Sequence, residues 1–92
     1  RDDSGLDPVV VVEILSPTTQ HIDVFRKFTG YFRNASVMHY LIVNIVDLNV
    51  VHHRRTRDGR IESSSHDSGT IALEPPGLTL DLPALFADLS PA

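Results

Sequence analysis

The chain of 92 residues contains no cysteine and no uninterrupted apolar run long enough to cross a bilayer. The absence of cysteine excludes a disulfide scaffold and thiolate metal sites, and it fits a reducing compartment. No signal-peptide pattern opens the chain. We therefore expect a cytoplasmic protein that has no contact with a membrane.

Positive charge is also scarce. Eight Lys and Arg against twelve Asp and Glu give a formal net charge of −4 at pH 7. A weakly acidic chain is not a general electrostatic trap for nucleic acid, so contact with phosphate needs a local basic patch or a metal. There is no Ser–His–Asp arrangement and no Gly-rich phosphate loop, so acyl transfer and P-loop chemistry have no support.

The length is enough for one small domain and too short for two, so residues 1–92 are interpreted as a single domain. Its first residue is Arg1, and the opening RDDSG has the character of a polar loop. We expect part of the domain to lie upstream of Arg1, which would leave the fold incomplete at its N-terminus.

The hydrophobic pattern predicts a strand, a helix and a second strand in the first half of the chain. Residues 9–15 are almost wholly apolar and mostly β-branched, which is typical of a central strand covered on both faces. SPTT follows, where Thr18 or Thr19 can cap a helix that runs from Gln20 to about Asn34. VMHYLIVNIV is the second strand. This order predicts a right-handed crossover between parallel strands.

The second half predicts a β-hairpin and a terminal helix. LNVVHHRRTR and RIESSS flank Asp58–Gly59, a signature of a type I′ turn. Ile71–Leu73 adds a short strand, and PPGLTLDLPALFADL gives a turn, an extended piece and a helix with Pro83 in its first turn. The predicted fold is α/β, with a mixed sheet, a crossover helix and a C-terminal hairpin.

Glu13 is an ionisable acid within the most apolar segment of the chain. It lies in phase with Val9, Val11 and Leu15, so these side chains project to one face of the strand. A lone carboxylate there needs a cation, a metal or strong hydrogen-bond donors. Lys27 lies at the edge of the helix's apolar arc, where its ammonium group can reach the strand end.

Two interpretations of these residues stay open. One is a structural ion pair, or a Glu13 that simply reaches water. The other is a metal site in which Glu13 and a second carboxylate hold Mg²⁺ (or Mn²⁺), while Lys27 orients water or stabilises transition-state charge. Asp7 cannot be that second acid, because six residues of straight strand place it roughly 20 Å from Glu13. The second acid must come from a neighbouring strand, most naturally one upstream of Arg1.

Several stretches match a known family in order and spacing. They are DPVVVVEILSPTT, then Asp23, Lys27 and Tyr31 at four-residue intervals, then the strand YLIVN and the closing PPGLTLDLPALF. Together they resemble the Uma family of restriction endonucleases, over nearly the whole chain from Leu6 to about Leu89. That family belongs to the P-D…(D/E)-x-K nuclease superfamily, which has a restriction-endonuclease-like α/β fold.

The resemblance implies a metal-dependent endonuclease acting on DNA, with Glu13 as metal ligand and with Glu13 and Lys27 as catalytic residues. The superfamily lysine normally stands two residues after the acid, where this chain has Leu15, and Lys27 on the helix would replace it. Asn44 takes the place of a family Asp. The P-D acid is expected upstream of this sequence, so the chain corresponds to the C-terminal core.

The other polar residues have simpler interpretations. HHRR at 52–55 could contact phosphate, but a solvated hairpin is the better interpretation. Adjacent His52 and His53 point to opposite faces of a strand, so they cannot hold one ion. Neither His21 nor His39 has a ligand-like spacing to another histidine.

Two functions are therefore considered. The first is metal-dependent hydrolysis of DNA phosphodiester bonds, and the alternative is a non-catalytic nuclease-fold homologue acting as an oligomerising or binding module. If the second acid lies upstream, this chain alone is inactive as a nuclease. Its unpaired sheet edge would also favour a homo-oligomer.

Overall fold

A computed structural model of the chain describes residues 7–16 and 24–89. The described residues form six strands and two helices. In chain order these are β1 (Val10–Leu15), α1 (Val24–Phe32), β2 (His39–Asn44), β3 (Asn49–Arg55), β4 (Ile61–His66), β5 (Thr70–Leu73), β6 (Leu78–Asp81) and α2 (Leu82–Leu89).

Four of these strands form a mixed sheet in the order β1-β2-β3-β4. β1 and β2 are parallel, as the predicted crossover requires, whereas β2, β3 and β4 pair antiparallel. β5 and β6 form a separate two-stranded antiparallel sheet, and α2 follows directly. The mixed α/β architecture predicted from the sequence is confirmed, and it is compatible with a restriction-endonuclease-like fold.

The mixed sheet is covered on both faces. On one face Leu15, Tyr40 and Ile42 pack with residues of α1, and we call this the helix face. On the other face a larger cluster joins the sheet to the β5–β6 hairpin and α2. Its buried members are Leu41, Val43, Val50, Ile71, Leu73 and Leu82. β2 is the central element of the fold because it supplies side chains to both clusters.

The expectation that β1 is covered on both faces is wrong for the described residues. β1 pairs only with β2, so within this part of the chain it is an edge strand. Val12 and Ile14 point away from the helix face and are 52% and 46% exposed. The second cluster does not cover them, because its buried members in the mixed sheet lie on β2 and β3.

The predicted type I′ turn is also wrong. β3 and β4 are joined through residues 56–60, where Gly59 N–H donates to Thr56 O and Thr56 N–H donates to Arg60 O. A type I′ turn needs positive φ at both central residues. Only Gly59 has positive φ (88°) in this loop, which matches a three-residue connection closed by a left-handed glycine.

The helix boundaries agree with the sequence where they can be compared. The predicted start at Gln20 and the caps Thr18 and Thr19 lie outside the described residues. α1 ends at Phe32, close to the predicted end. Pro83 lies in the first turn of α2 as predicted, and Asp81 accepts a hydrogen bond from the Ala84 N–H, which satisfies one free donor of that turn.

Candidate functional site

Glu13 and Lys27 meet on the helix face. Lys27 Nζ lies 2.8 Å from Glu13 Oε2, and the two groups form a charged hydrogen bond. The alternation of β1 directs Glu13 toward α1, because Val11 and Leu15 on the same face belong to the helix-face cluster. The predicted approach of these two residues is confirmed, whereas a catalytic role for them is a separate question.

The pair is only partly withdrawn from water. The Lys27 side chain is 34% exposed and the Glu13 side chain 20%. The hydrogen bond to Glu13 is the main reason that the pKa of Lys27 is raised above its ordinary value of 10.5, with partial desolvation acting the other way. Lys27 is therefore a cation at neutral pH. It can donate hydrogen bonds and stabilise negative charge, but it cannot take a proton from water.

Tyr40 on β2 also lies on the helix face, next to the strand that carries Glu13. It is fully buried, and its hydroxyl has no hydrogen-bond partner within the described part of the chain. Burial, followed by the charge of Glu13 and the neighbouring Tyr31, raises the pKa of Tyr40 to about 12. The hydroxyl therefore stays protonated, and it is a donor that has no acceptor within residues 7–16 and 24–89. A buried donor of this kind is rare in proteins and often marks a position filled by water, an ion or a ligand.

Sequence pattern alone does not single out Tyr40, because its place within an apolar strand indicates a packing residue. The feature that identifies Tyr40 as part of the site is the register between β1 and β2. β1 and β2 pair Val11 with Tyr40 and Glu13 with Ile42, so Tyr40 and Glu13 face the same helix from neighbouring strands. The Tyr31 ring of α1 lies 5.1 Å from the Tyr40 ring.

These residues suit a divalent cation only in part. Glu13 Oε2 is engaged by Lys27, while Oε1 has no hydrogen-bond partner among the described residues. A hard cation such as Mg²⁺ prefers carboxylate oxygens, so Oε1 is a suitable single ligand. Within residues 7–16 and 24–89, however, no three His, Cys, Asp or Glu side chains are grouped to hold a metal. Carboxylates from outside those ranges would be needed to complete a ligand set of three.

The other predicted positions have structural explanations. Leu15, two residues after Glu13, is buried in the helix-face cluster, so this position belongs to the core. The Asn44 side chain accepts hydrogen bonds from the Val46 and Asp47 N–H groups and so shapes the turn after β2. Asp23 lies outside the described residues.

The histidines behave differently from the expectation based on spacing. His52 and His53 point to opposite faces as predicted: His53 stacks on Tyr40, and His52 faces the hairpin side. His39, however, does meet another histidine, since its Nδ1 lies 2.8 Å from His52 Nε2. Its Nε2 lies 2.8 Å from the Pro75 carbonyl oxygen. His21 lies outside the described residues.

The pair His39–His52 has a defined tautomer. The Pro75 carbonyl can only accept, so the proton of neutral His39 is on Nε2 and its Nδ1 accepts from the Nε2–H of His52. Both rings are buried, with 0% and 6% exposure. This chain of hydrogen bonds attaches the turn before β6 to the mixed sheet. Sequence spacing could not reveal it, because the contact depends on the packing of the hairpin.

Comparison with models of known protein families gives a match. A family model described as "Uma2: Putative restriction endonuclease" matches residues 1–89 of the 92. A search of curated proteins gave no match to the chain. Neither described helix combines the length and the apolar character that crossing a bilayer requires.

Proposed function

Because this chain belongs to the Uma2 family of restriction endonucleases, we propose that it hydrolyses DNA phosphodiester bonds in a metal-dependent reaction at the Glu13–Lys27 pair. The observation that carries the proposal is the 2.8 Å contact between these residues beside the Tyr40 hydroxyl, which is unpaired within the described residues. The Glu13 oxygen that Lys27 does not engage has no hydrogen-bond partner among the described residues either, which leaves it available to an ion.

Each side chain has a separate role. Lys27, held as a cation by Glu13, donates to a non-bridging oxygen of the scissile phosphate and stabilises the charge that develops there. Tyr40 stays protonated, and its buried hydroxyl would donate to the attacking water once that water enters the site. The water oxygen forms the new P–O bond and loses a proton to solvent as the bond to the leaving oxygen breaks, and solvent protonates that leaving oxygen.

Glu13 Oε1 would hold the cation. A bound Mg²⁺ or Mn²⁺ would supply Lewis acidity toward the phosphate and lower the pKa of its bound water. The second carboxylate is proposed to come from a strand beside β1, upstream of Arg1, as in the P-D…(D/E)-x-K arrangement. The unpaired edge of β1 within the described residues supports that placement.

The test is cleavage of supercoiled plasmid in Mg²⁺, in Mn²⁺ and in EDTA, by this 92-residue chain and by the protein from the full reading frame. We expect nicking or linearisation only by the longer protein, and only with metal. Robust cleavage by the shorter chain would contradict the proposal that an upstream acid is required.

The alternative is a nuclease-fold protein that binds or oligomerises without cleaving. The lack of a three-ligand cluster among residues 7–16 and 24–89 is the observation that favours it. Absence of cleavage by either form, together with a stable oligomer of both, would support this alternative over the nuclease.

A further inference from the structure

A second polar feature lies at the end of the sheet where β2 begins. An open cleft there is lined by Met38, Arg54, Arg55, Arg57, Glu74 and Pro75. It lies between the β3–β4 hairpin and the turn that the His39–Pro75 hydrogen bond attaches to the sheet. Its walls are therefore fixed by hydrogen bonding on one side and by strand pairing on the other.

Positive charge is concentrated at this cleft. Four of the eight Lys and Arg residues of the chain lie between positions 54 and 60, although the chain as a whole is acidic. Three of these four arginines line the cleft, opposite the single carboxylate of Glu74. This is the kind of local basic patch that a chain of net charge −4 needs if it is to contact phosphate.

The three arginines are neutralised only in part. Arg54 forms an ion pair with Glu62 at the surface. Arg55 donates to three backbone carbonyls and has no carboxylate partner among the described residues, so its charge is not cancelled. Arg57 is exposed and forms no ion pair within the described ranges. At least two guanidinium charges are thus left for an external anion.

We propose that this arginine cleft binds the phosphodiester backbone of DNA, separately from the Glu13–Lys27 pair. The side chains of Arg54 and Arg57 contact the phosphate oxygens. Arg55, held by its hydrogen bonds to backbone carbonyls, adds positive charge to the cleft. The planar guanidinium group matches phosphate oxygens with paired N–H donors, which makes arginine a preferred residue for this ligand. The inference rests on the proposed function, since it takes DNA as the substrate.

The cleft and the Glu13–Lys27 pair are separated both across the sheet and along its strands. Arg54 and Pro75 lie with His39 on the hairpin side, whereas the pair lies on the helix face. His39 pairs with Val10 in β1, and Glu13 is three residues further along that strand. The two sites are thus offset by roughly 10 Å along the strand direction.

The experiment measures the affinity of the protein for a fluorescently labelled DNA duplex of about two helical turns, in the presence of EDTA. Fluorescence anisotropy reports the binding, and the titration is repeated over a range of salt concentrations. EDTA prevents cleavage, so binding is measured independently of the Glu13–Lys27 chemistry. For Arg54→Ala and Arg57→Ala we expect roughly fivefold weaker binding each, and a salt slope that is smaller by about one in each variant. Glu74→Gln should tighten binding, because it removes the opposing charge.

Arg60→Ala is the matched control. Arg60 belongs to the same loop and is highly exposed, but it pairs with Asp58 and does not line the cleft. An equal reduction of binding in Arg60→Ala would reveal only a general charge effect and would overturn the proposal, as would unchanged binding in Arg54→Ala and Arg57→Ala.

Two further outcomes separate this inference from its premise. Metal-dependent cleavage that persists with unchanged duplex binding in the cleft variants would overturn the cleft and leave the nuclease intact. Competition by inorganic phosphate or ATP at micromolar concentration would assign the cleft to a small phosphate compound and overturn the DNA contact. Binding that depends on Arg54 and Arg57 in a protein that never cleaves would support the cleft and contradict the nuclease.

Discussion

At the scale of single residues, the site depends on which charges and donors are left without partners. Glu13 and Lys27 satisfy each other through one carboxylate oxygen, and this fixes Lys27 as a cation. The Tyr40 hydroxyl is buried beside them and unsatisfied within the described residues. Leaving a buried hydroxyl unpaired costs roughly 1–3 kcal/mol. That cost is relieved if substrate or water accepts a hydrogen bond from Tyr40.

Tyr40→Phe should separate activity from stability. Removing an unsatisfied hydroxyl should leave the free energy of unfolding unchanged or raise it by about 1 kcal/mol. Cleavage should fall roughly tenfold, because the variant lacks one donor to the reacting groups. Urea denaturation and single-turnover cleavage measure the two quantities. A large decrease in stability would mean that the hydroxyl already has a partner, and would remove it from the site.

The His39–His52 pair predicts how stability depends on pH. Burial, and then the neighbouring His39, lower the pKa of His52 to about 4, below its ordinary value of 6.5. Since the folded-state pKa is depressed, the contribution to stability is complete above about pH 6.5 and is lost as the pH falls through about 4. The change should approach about 3 kcal/mol.

Urea unfolding at about pH 7.5, 5.5 and 4.5 measures this dependence. His52→Leu should be less stable at the highest pH but should show a flatter profile as the pH falls. His66→Gln is the comparison. The His66 ring lies 6.5 Å from that of His52 and also lowers the His52 pKa, so this variant should flatten the profile less than His52→Leu does. A His52→Leu profile as steep as that of the wild type would assign the acid sensitivity to other groups.

At the scale of elements, the orientation of α1 is held from its C-terminal end. Arg55 on β3 donates to the carbonyl oxygens of Val37, Phe32 and Asn34 at 2.9, 2.9 and 3.2 Å. Its guanidinium also lies 5.2 Å from the centre of the Phe32 ring. The carbonyl end of a helix favours a cation. Because Lys27 is on the same helix, Arg55 helps to set where the ammonium group meets Glu13.

Arg55→Ala should therefore destabilise the protein by about 2 kcal/mol, the usual value for removing charged hydrogen bonds to partly buried acceptors. The neighbouring Arg54→Ala is the matched control and should cost less than about 1 kcal/mol, because Arg54 makes only a surface ion pair. Urea midpoints of the two variants give the comparison. Equal midpoints would show that Arg55 does not anchor α1.

At the scale of the whole molecule, the edge of the mixed sheet is where we expect assembly to occur. β1 carries exposed Val12 and Ile14 and has no second neighbour within the described ranges. Such an edge invites pairing with another strand. We expect the 92-residue chain to form homo-oligomers, and Ile14→Lys to shift it toward the monomer in analytical ultracentrifugation. Val46→Lys, at an exposed valine off this strand, is the control. A monomeric wild-type chain would contradict the prediction.

The fold could be predicted where the sequence periodicity of a strand or helix determines the direction in which its side chains point. Strand alternation and the helical repeat were enough to bring Glu13 and Lys27 together. The hairpin turn was mispredicted because a left-handed glycine is common to the type I′ turn and to the three-residue loop. The contact of His39 with His52 and Pro75 joins residues up to 36 positions apart, and no local pattern contains that information.

The central claim is that Glu13 is the metal-holding carboxylate of a nuclease. The most direct measurement is single-turnover cleavage of supercoiled plasmid by the protein from the full reading frame, as wild type and as Glu13→Gln, with Mn²⁺ binding followed by electron paramagnetic resonance. Asp67→Asn, which changes an exposed acid in the turn after β4, is the control. We predict that Glu13→Gln stays folded, binds Mn²⁺ about tenfold more weakly or worse, and cleaves on the order of a thousandfold more slowly, while Asp67→Asn retains both properties. A folded Glu13→Gln protein that binds Mn²⁺ and cleaves like the wild type would contradict the account.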